Sequence, residues 1–482
     1  MDWDVRELSA PTRHPAAFNE LCTILGPHWV STRSVDRAAY SHDAWSFAAK
    51  WVQQARFPYV PDMIVWPGTA QEVAAVLDVA HRYGLPVVPF GGGSGTVGGI
   101  LPLRRGITIH LRRMDQIIDL DRTSLLATVG AGMIGQILED QLNLEGYTLG
   151  HFPQSMRSAT VGGYVAHKAV GTFSTKYGKF DDMVLGMQVV VPSGGILNIV
   201  PVPKSSTGPN LNELFLGSEG TLGVVTQVTL KIHTTPELRL FRGYAIPDMR
   251  AGFDIIRRIL QHDLKPAVVR LYDEVEAVGK FESLGVPAGP CLLVLGFEGY
   301  RQLVELEERI STEICTSQRA KELGSKPGEL WLASRFDTSS LLRCVYQPTG
   351  IYDCLEVAAT WDRLADLYYE IRHAMEPYCY KVMGHTSHVY PQGGNLYMIF
   401  FAEADSPDLE KIGQLYYRIL DATFQVCGRL GAAISHHHGI GLTKARWMTL
   451  QHGQTGMNIL RAVKRAVDPD NLMNPGKLGL GG

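Results

Sequence analysis

Long hydrophobic runs are missing from this chain: nowhere in its 482 residues does an apolar stretch approach the ~18 side chains of a bilayer-crossing helix, so no membrane-spanning helix is expected. Cysteine is sparse and unpatterned. Cys22, Cys291, Cys315, Cys344, Cys354, Cys379 and Cys427 are odd in number and scattered, without a Cys-x-x-Cys pair, which speaks against a disulfide framework and fits a reducing compartment. Charge of either sign is also in short supply. Only 19% of residues are charged, Lys and Arg (45) nearly balance Asp and Glu (48), and the net charge of -3 leaves no basic field of the kind nucleic acid demands. The opening MDWDVRELSA sets acidic residues where a secretory signal would place basic and then apolar ones, and the closing LGLGG is no peroxisomal address. A cytoplasmic location is expected, with peripheral membrane contact left open.

What remains is an ordinary globular composition, 45% apolar, in a chain long enough for two or three cores. Residues 1–58 read as an N-terminal helical segment in which Trp45, Phe47 and Trp51 are spaced to pack a helical face onto a neighbouring domain. From Thr69 the pattern sharpens. Thr69-x-x-Glu72 predicts a capping box, and Val73, Val76, Leu77 and Ala80 recur at helical spacing up to Gly84. Buried-strand runs follow at 85–90, 107–111, 125–130, 183–191 and 223–232, with a helix over 133–146, which makes 59–235 an α+β unit. The texture changes at 234–237. Strands at 267–273 and 291–299 then alternate with helices near 249–262 and 300–322, predicting a second α+β domain on an antiparallel sheet over 236–434 and a C-terminal helical segment over 435–482.

The densest signal is GGGSGTVGG at 91–99, directly after a predicted buried strand. Backbone N–H groups approach a pyrophosphate closely only where no Cβ intervenes, and Ser94 and Thr96 add hydroxyl donors, so the loop predicts a phosphate cradle rather than a plain turn. It is neither a Walker loop nor a Rossmann fingerprint, since Gly-Lys-Ser/Thr is absent and the glycine spacing differs. Two further small, hydroxyl-rich stretches, at 151–182 and 216–226, supply one domain for a long ligand with phosphates, ribose and rings.

A second signal is His436, His437 and His438, followed by Gly-Ile-Gly. Three solvated loop residues are the bland explanation. Flanked by apolar AAIS, however, three imidazoles are costly to bury without partners, which points to function.

PFGGGSG, PQSMRSATVGG, YGKFDDMVLG and GSEGTLGVVT, in that order, resemble the PCMH-type FAD-binding domain of the vanillyl-alcohol-oxidase superfamily. VVRLYD, SRFDTSSLLR, DCLEVAATWDRL, SHVY, GGNLY and SHHHGIG narrow the resemblance to the alkyldihydroxyacetonephosphate synthase branch and its bacterial FAD-linked oxidase-like relatives. The fold this implies is α+β: a two-part FAD-binding domain, an antiparallel-sheet-and-helix substrate (cap) domain, and a C-terminal helical segment returning to the flavin. Flavin contacts are implied for Gly91, Gly92, Gly93, Ser94, Gly95, Thr96 and Val97, and for Gln154, Ser155, Thr160, Gly162 and Gly163. They are implied likewise for His167, Lys168, Ala169 and Val170, and for Glu219, Gly220, Thr221, Gly223, Val224 and Val225. In the superfamily a flavin-tethering histidine commonly follows two glycines of the first loop; Gly93 and Ser94 stand there, so non-covalent FAD is expected.

The same resemblance makes Tyr397 the catalytic acid, the histidine run the proton-handling element, Arg270 a residue beside the flavin, and Arg343, with Arg335 and His385 as companions, the substrate-binding set. Related 2-hydroxyacid dehydrogenases bind a divalent metal through histidines of this region. Here His385 and His388 remain, but Tyr397 and His437 stand where a second histidine and a glutamate would be, so no metal is assigned. The activity implied is exchange of an acyl group for a fatty alcohol through a flavin N5 adduct. The alternative is an FAD-linked oxidase or dehydrogenase of a small alcohol or 2-hydroxy acid. The expected partner is a small-molecule or lipid-like substrate, and the family resemblance implies a homodimer.

Overall fold

The structure, a computed structural model, describes residues 12–282, 289–337 and 344–481. In the first layer, strand Ile107–His110 lies between Met63–Val65 and Val87–Phe90, parallel to both, with Val30–Ser31 antiparallel on the edge. Helix Ala70–Arg82 covers this sheet. Its Thr69 hydroxyl accepts the Glu72 N–H, and the Glu72 carboxylate turns back to the N–H of Gly68, one residue before the capping-box position. Val73, Val76, Leu77 and Ala80 are buried as their spacing predicts, each worth about 1–3 kcal/mol of apolar burial.

A second, wholly antiparallel sheet runs in the order Ile117–Asp121, Leu126–Gly130, Val224–Lys231, Val184–Val190, Ile196–Asn198. The third is the large antiparallel sheet of the C-terminal half. Its order is Lys321–Gly324, Leu238–Ile246, Cys291–Gly299, Val268–Tyr272, Lys381–Thr386, Gly393–Glu403, Gly350–Thr360, with Val389–Tyr390 pairing beside Gly393–Glu403. Leu271, Leu355, Val357, Leu396 and Met398 share one core with residues of helices Met249–Gln261, Trp361–Met375 and Leu409–Leu430. Alternate positions point the other way, which leaves Tyr272, His385, Tyr397 and Glu356 on the opposite face.

One expectation is corrected. The helix expected over 300–322 stops at Ser317, because Arg319 adopts φ +64°, and Lys321–Gly324 becomes an edge strand on Leu238–Ile246. Within the C-terminal segment the histidine run lies in a loop, residues 435–444, and the helix Met448–Val467 that follows is kinked at Gly453, which has φ +61°. The chain then returns to the first sheet: Asn474 donates its backbone N–H to Val87 and its side-chain amide to the Gly99 and Glu219 carbonyls. The N-terminal aromatics pack as their spacing suggests, with Phe47 stacked on Tyr416 at 5.7 Å and Trp45 Nε1 donating to the Tyr416 hydroxyl at 3.0 Å.

His151 is buried among Tyr164 and Phe180, with neither ring nitrogen hydrogen-bonded, and burial pushes it from 6.5 down to about 3. The unfolded chain takes up a proton near pH 6.5 that the folded chain refuses. Stability is therefore full above that pH and falls as pH drops toward about 3, by a few kcal/mol at most at ~1.4 kcal/mol per unit. Measured as Tm against pH, His151→Phe is expected to flatten the acid limb relative to wild type while leaving Tm near pH 8 little changed. No helix among the described residues is long and apolar enough to cross a membrane.

Candidate active site

A cavity of about 1140 Å³ lies between the glycine loops and the exposed face of the large sheet. It is larger than the ~300–1,000 Å³ of an ordinary ligand pocket, so a long cofactor and a second ligand fit together. The floor is made where two loops interlock. A Cβ on Gly91 would sit 2.4 Å from the Thr160 hydroxyl, and one on Gly92 1.8 Å from the Ser158 carbonyl, so only glycine lets the strand Val87–Phe90 hand over to this loop. Thr160 caps the following helix, Val161–His167, by accepting the Gly163 N–H. Two lining residues carry buried polar atoms without hydrogen-bond partners, the Nε2 of His167 and the Oδ2 of Asp43. Buried polar groups are rarely left unpaired, so a polar ligand suits this place, and the bare glycine backbone beside it suits a phosphate.

Most of the residues expected around the flavin lie on this wall: Gly91 to Thr96, Gln154, Ser155, Thr160, Gly162, Gly163, His167, Ala169, Val170, Glu219, Gly220, Gly223 and Val225. Four lie behind it. The Val97 carbonyl is taken by the N–H groups of Leu442 and Thr443, Lys168 turns its ammonium to Glu213, the Thr221 hydroxyl donates to the Ser218 carbonyl, and Val224 is a core strand residue.

On the opposite wall the register of four strands aligns a row of side chains. Tyr272 pairs with His385, His385 with Tyr397, and Tyr397 with Glu356. The His385 and Tyr397 rings stack at 4.7 Å, and His385 Nδ1 is 2.8 Å from the Glu276 carboxylate. Arg270 donates to the Tyr272 hydroxyl at 3.2 Å and lies 3.4 Å from His385 Nε2. The Tyr397 hydroxyl and the Cys354 thiol are 2.8 Å apart, and burial, with Cys354 beside it, raises this phenol well above 10.

The three histidines separate. The His437 and His438 rings line the cavity at 6.0 and 5.4 Å from the Tyr397 ring, whereas His436 is set back, with Nε2 2.9 Å from the Tyr390 hydroxyl and Nδ1 2.9 Å from His437 Nδ1. Burial holds His436 down at about 3, and lowers His437, His438 and the neighbouring His388 as well, so the cluster is neutral at physiological pH. Arg335 also lines the cavity. Its Nε and Nη1 are buried without a hydrogen-bond partner among the rings of Phe152, Phe173, Trp331 and Phe336, and this burial, with Arg239 nearby, lowers it to about 10. Arg343 lies outside the described residues. Among those described, no cluster of three or more His, Cys, Asp or Glu side chains is arranged to hold a metal ion.

Sequence reasoning missed Glu356, Cys354, Lys444 and Asp43. Glu356 left one trace, a carboxylate set between the apolar Leu355 and Val357. Asp43 left none, because its place beside Gly95 depends on the N-terminal segment folding back over the loop, where the Ala44 N–H donates to the Gly95 carbonyl.

Two sequence families match in tandem: FAD binding domain over residues 61–199, and FAD linked oxidases, C-terminal domain, over residues 235–478. Alkyldihydroxyacetonephosphate synthase of Dictyostelium discoideum is 28% identical over 502 aligned residues, 97% of this chain and 81% of its own. The uncharacterized FAD-linked oxidoreductase YgcU of Escherichia coli (strain K12) is 31% identical over 433 residues, 87% of this chain and 89% of its own. A solved alkyldihydroxyacetonephosphate synthase superposes with a TM-score of 0.82 at 24% identity, covering 98% of this chain and 87% of that one, and so shares the two-domain fold. Because the glycine cradle falls in the first matched family and the phenol and imidazole wall in the second, the chain belongs to the FAD-linked oxidases and is a flavoenzyme with FAD as its cofactor.

Proposed function

We propose that this enzyme exchanges the acyl group of an acylated dihydroxyacetone phosphate for a fatty alcohol, with FAD held non-covalently. When bound, FAD supplies a ring system that accepts electron density from the substrate carbon. The supporting observation is the acid and base set facing one cavity: a phenol held protonated at Tyr397 and neutral imidazoles at His437 and His438. Oxidising an alcohol calls for one base. Replacing a carboxylate by an alkoxide calls for a base at the C–H bond and an acid for the departing carboxylate, and this wall offers both. Tyr397 gives its proton to the departing fatty-acid oxygen and regains one from the fatty alcohol as the new C–O bond forms, a histidine of the run takes the C–H proton and returns it to the same carbon, and the buried guanidinium of Arg335 pairs with the phosphate through its planar fork.

A second reading is net oxidation by an FAD-linked oxidoreductase, with a small alcohol or 2-hydroxy acid as the proposed substrate, and the 31% identity to the oxidoreductase YgcU across 87% of the chain favours its redox part. An anaerobic visible spectrum separates the two. Bleaching of the oxidised flavin by an acyl-dihydroxyacetone phosphate, reversed by a long-chain alcohol without oxidant, is the expected result. Bleaching by a hydroxy acid or alcohol, reversed only by air or an acceptor dye, would replace the exchange by net oxidation.

A further inference from the structure

Behind the histidine loop sits a charged pair that neither reaction scheme uses. Glu356, on strand Gly350–Thr360, is completely buried, and Lys444 is 2% exposed. Their closest atoms, Nζ and Oε2, are 2.7 Å apart. Removing two charges from water costs several kcal/mol per ion, and an apolar pair of similar volume would be at least as stable, so stability alone does not explain the choice. The remaining contacts of Glu356 do. Oε1 accepts three consecutive backbone N–H groups, from His436 at 3.2 Å, His437 at 3.2 Å and His438 at 2.8 Å, together with the Ser435 hydroxyl. Three successive N–H groups converging on one oxygen curl the backbone into a nest, and their side chains must then radiate outward. The rings accordingly stand nearly perpendicular to their neighbours, at 79° between His436 and His437 and 72° between His437 and His438.

The second oxygen acts on a ring directly. His438 Nδ1 lies 3.4 Å from Glu356 Oε2. The pair is at ion-pair distance rather than in hydrogen-bond alignment, and the negative oxygen favours a proton on the nitrogen nearer to it, which leaves Nε2 with its lone pair. Burial pushes the Glu356 carboxyl upward, but Lys444, His438 and the hydrogen bonds outweigh this and hold it well below the usual carboxylate range, so it is always an acceptor.

We infer that Glu356 is the positioning residue of the histidine loop: its carboxylate, backed by Lys444, fixes the angle at which His437 and His438 face Tyr397 and sets the His438 tautomer to Nδ1–H, leaving Nε2 as the proton acceptor. The inference rests on the proposed function only in giving that acceptor a proton to take. Its geometric part is independent of the reaction.

The test compares wild type, E356Q and the double variant E356Q/K444Q as FAD-loaded full chains, with nitrogen-15-labelled histidine. The His438 signals are assigned by their loss in H438Q. In wild type at neutral pH the His438 shifts should report the Nδ1–H tautomer. The amide introduced by E356Q can still accept the three N–H groups through its oxygen but turns an NH2 toward His438, so E356Q should switch that ring to Nε2–H. E356Q also removes the negative charge that favours imidazolium, leaving Lys444 and His167 to oppose it beside the neutral His437 and Tyr397 rings. His438 should therefore titrate at lower pH than in wild type. The double variant removes the unpaired lysine, so it stays folded even if E356Q does not, and should show the same tautomer. With a substrate that bleaches the flavin, kcat should fall by at least about tenfold in the double variant while KM changes little, as misplacement of a reacting group predicts. Unchanged His438 shifts in a folded variant, or wild-type kcat in the neutral pair, would overturn the inference. If no substrate bleaches the flavin, the proposed reaction falls, and the tautomer result still decides the role of Glu356.

Discussion

Replacing Tyr397 by Phe is expected to lower kcat by about 10²–10⁴-fold, the usual contribution of a positioned general acid, while flavin content and visible spectrum stay as in wild type. The ring itself stays useful to packing, since it stacks on His385 at 4.7 Å and stands edge-on to His438 at 5.4 Å, and phenylalanine preserves both contacts. What is lost is one hydroxyl, 2.8 Å from the Cys354 thiol. Because burial raises this phenol well above 10, it carries its proton throughout the neutral range, and its ionisation cannot shape the pH profile there. The wild-type rate should therefore show no basic limb from Tyr397 below about pH 10. Steady-state kinetics with the bleaching substrate checks both points. Near-normal turnover in Tyr397→Phe would remove the acid from the scheme and favour plain oxidation, which needs none.

The second large effect is expected at Gly92. A methyl group there would lie 1.8 Å from the Ser158 carbonyl oxygen and 3.1 Å from the Ala159 Cα, and these are backbone atoms that no rotamer change can move aside. Gly92→Ala should force the two loops apart, cost about 1–3 kcal/mol or more by overpacking, and release FAD, read as loss of the bound-flavin spectrum and a lowered Tm. Gly428, inside helix Leu409–Leu430, is the control: its added Cβ meets only Leu450 at 3.6 Å, so Gly428→Ala should keep FAD and raise stability by up to about 1 kcal/mol. Equal flavin loss in both variants would mean that the loop contact is not what holds the cofactor.

The glycine loop and the histidine run were legible because each is a local signal, in which residue type and spacing carry the chemistry. The helix Ala70–Arg82 was legible for the same reason, its apolar period and cap lying within one stretch. Lys168 shows where local reading fails. It sits among flavin-wall residues in sequence, but at φ +47° it ends the helix Val161–His167 and swings its ammonium to Glu213. His436 fails in the same way: adjacent to two cavity histidines, it is turned by the loop toward Tyr390 instead.

The sequence by itself determined that residues 91–99 can cradle a phosphorylated ligand and that three adjacent histidines in an apolar setting need partners, because close backbone approach requires glycine and buried imidazoles are costly without them. Only the tertiary structure decided which side chains share the reaction space. Tyr272, His385, Tyr397 and Glu356 come from four separate strands and meet in one row because the antiparallel register pairs them, and a slip of one residue would turn each to the other face. Glu356 and Lys444 likewise meet only in the folded chain, where the loop after the histidine run brings the ammonium against the buried carboxylate.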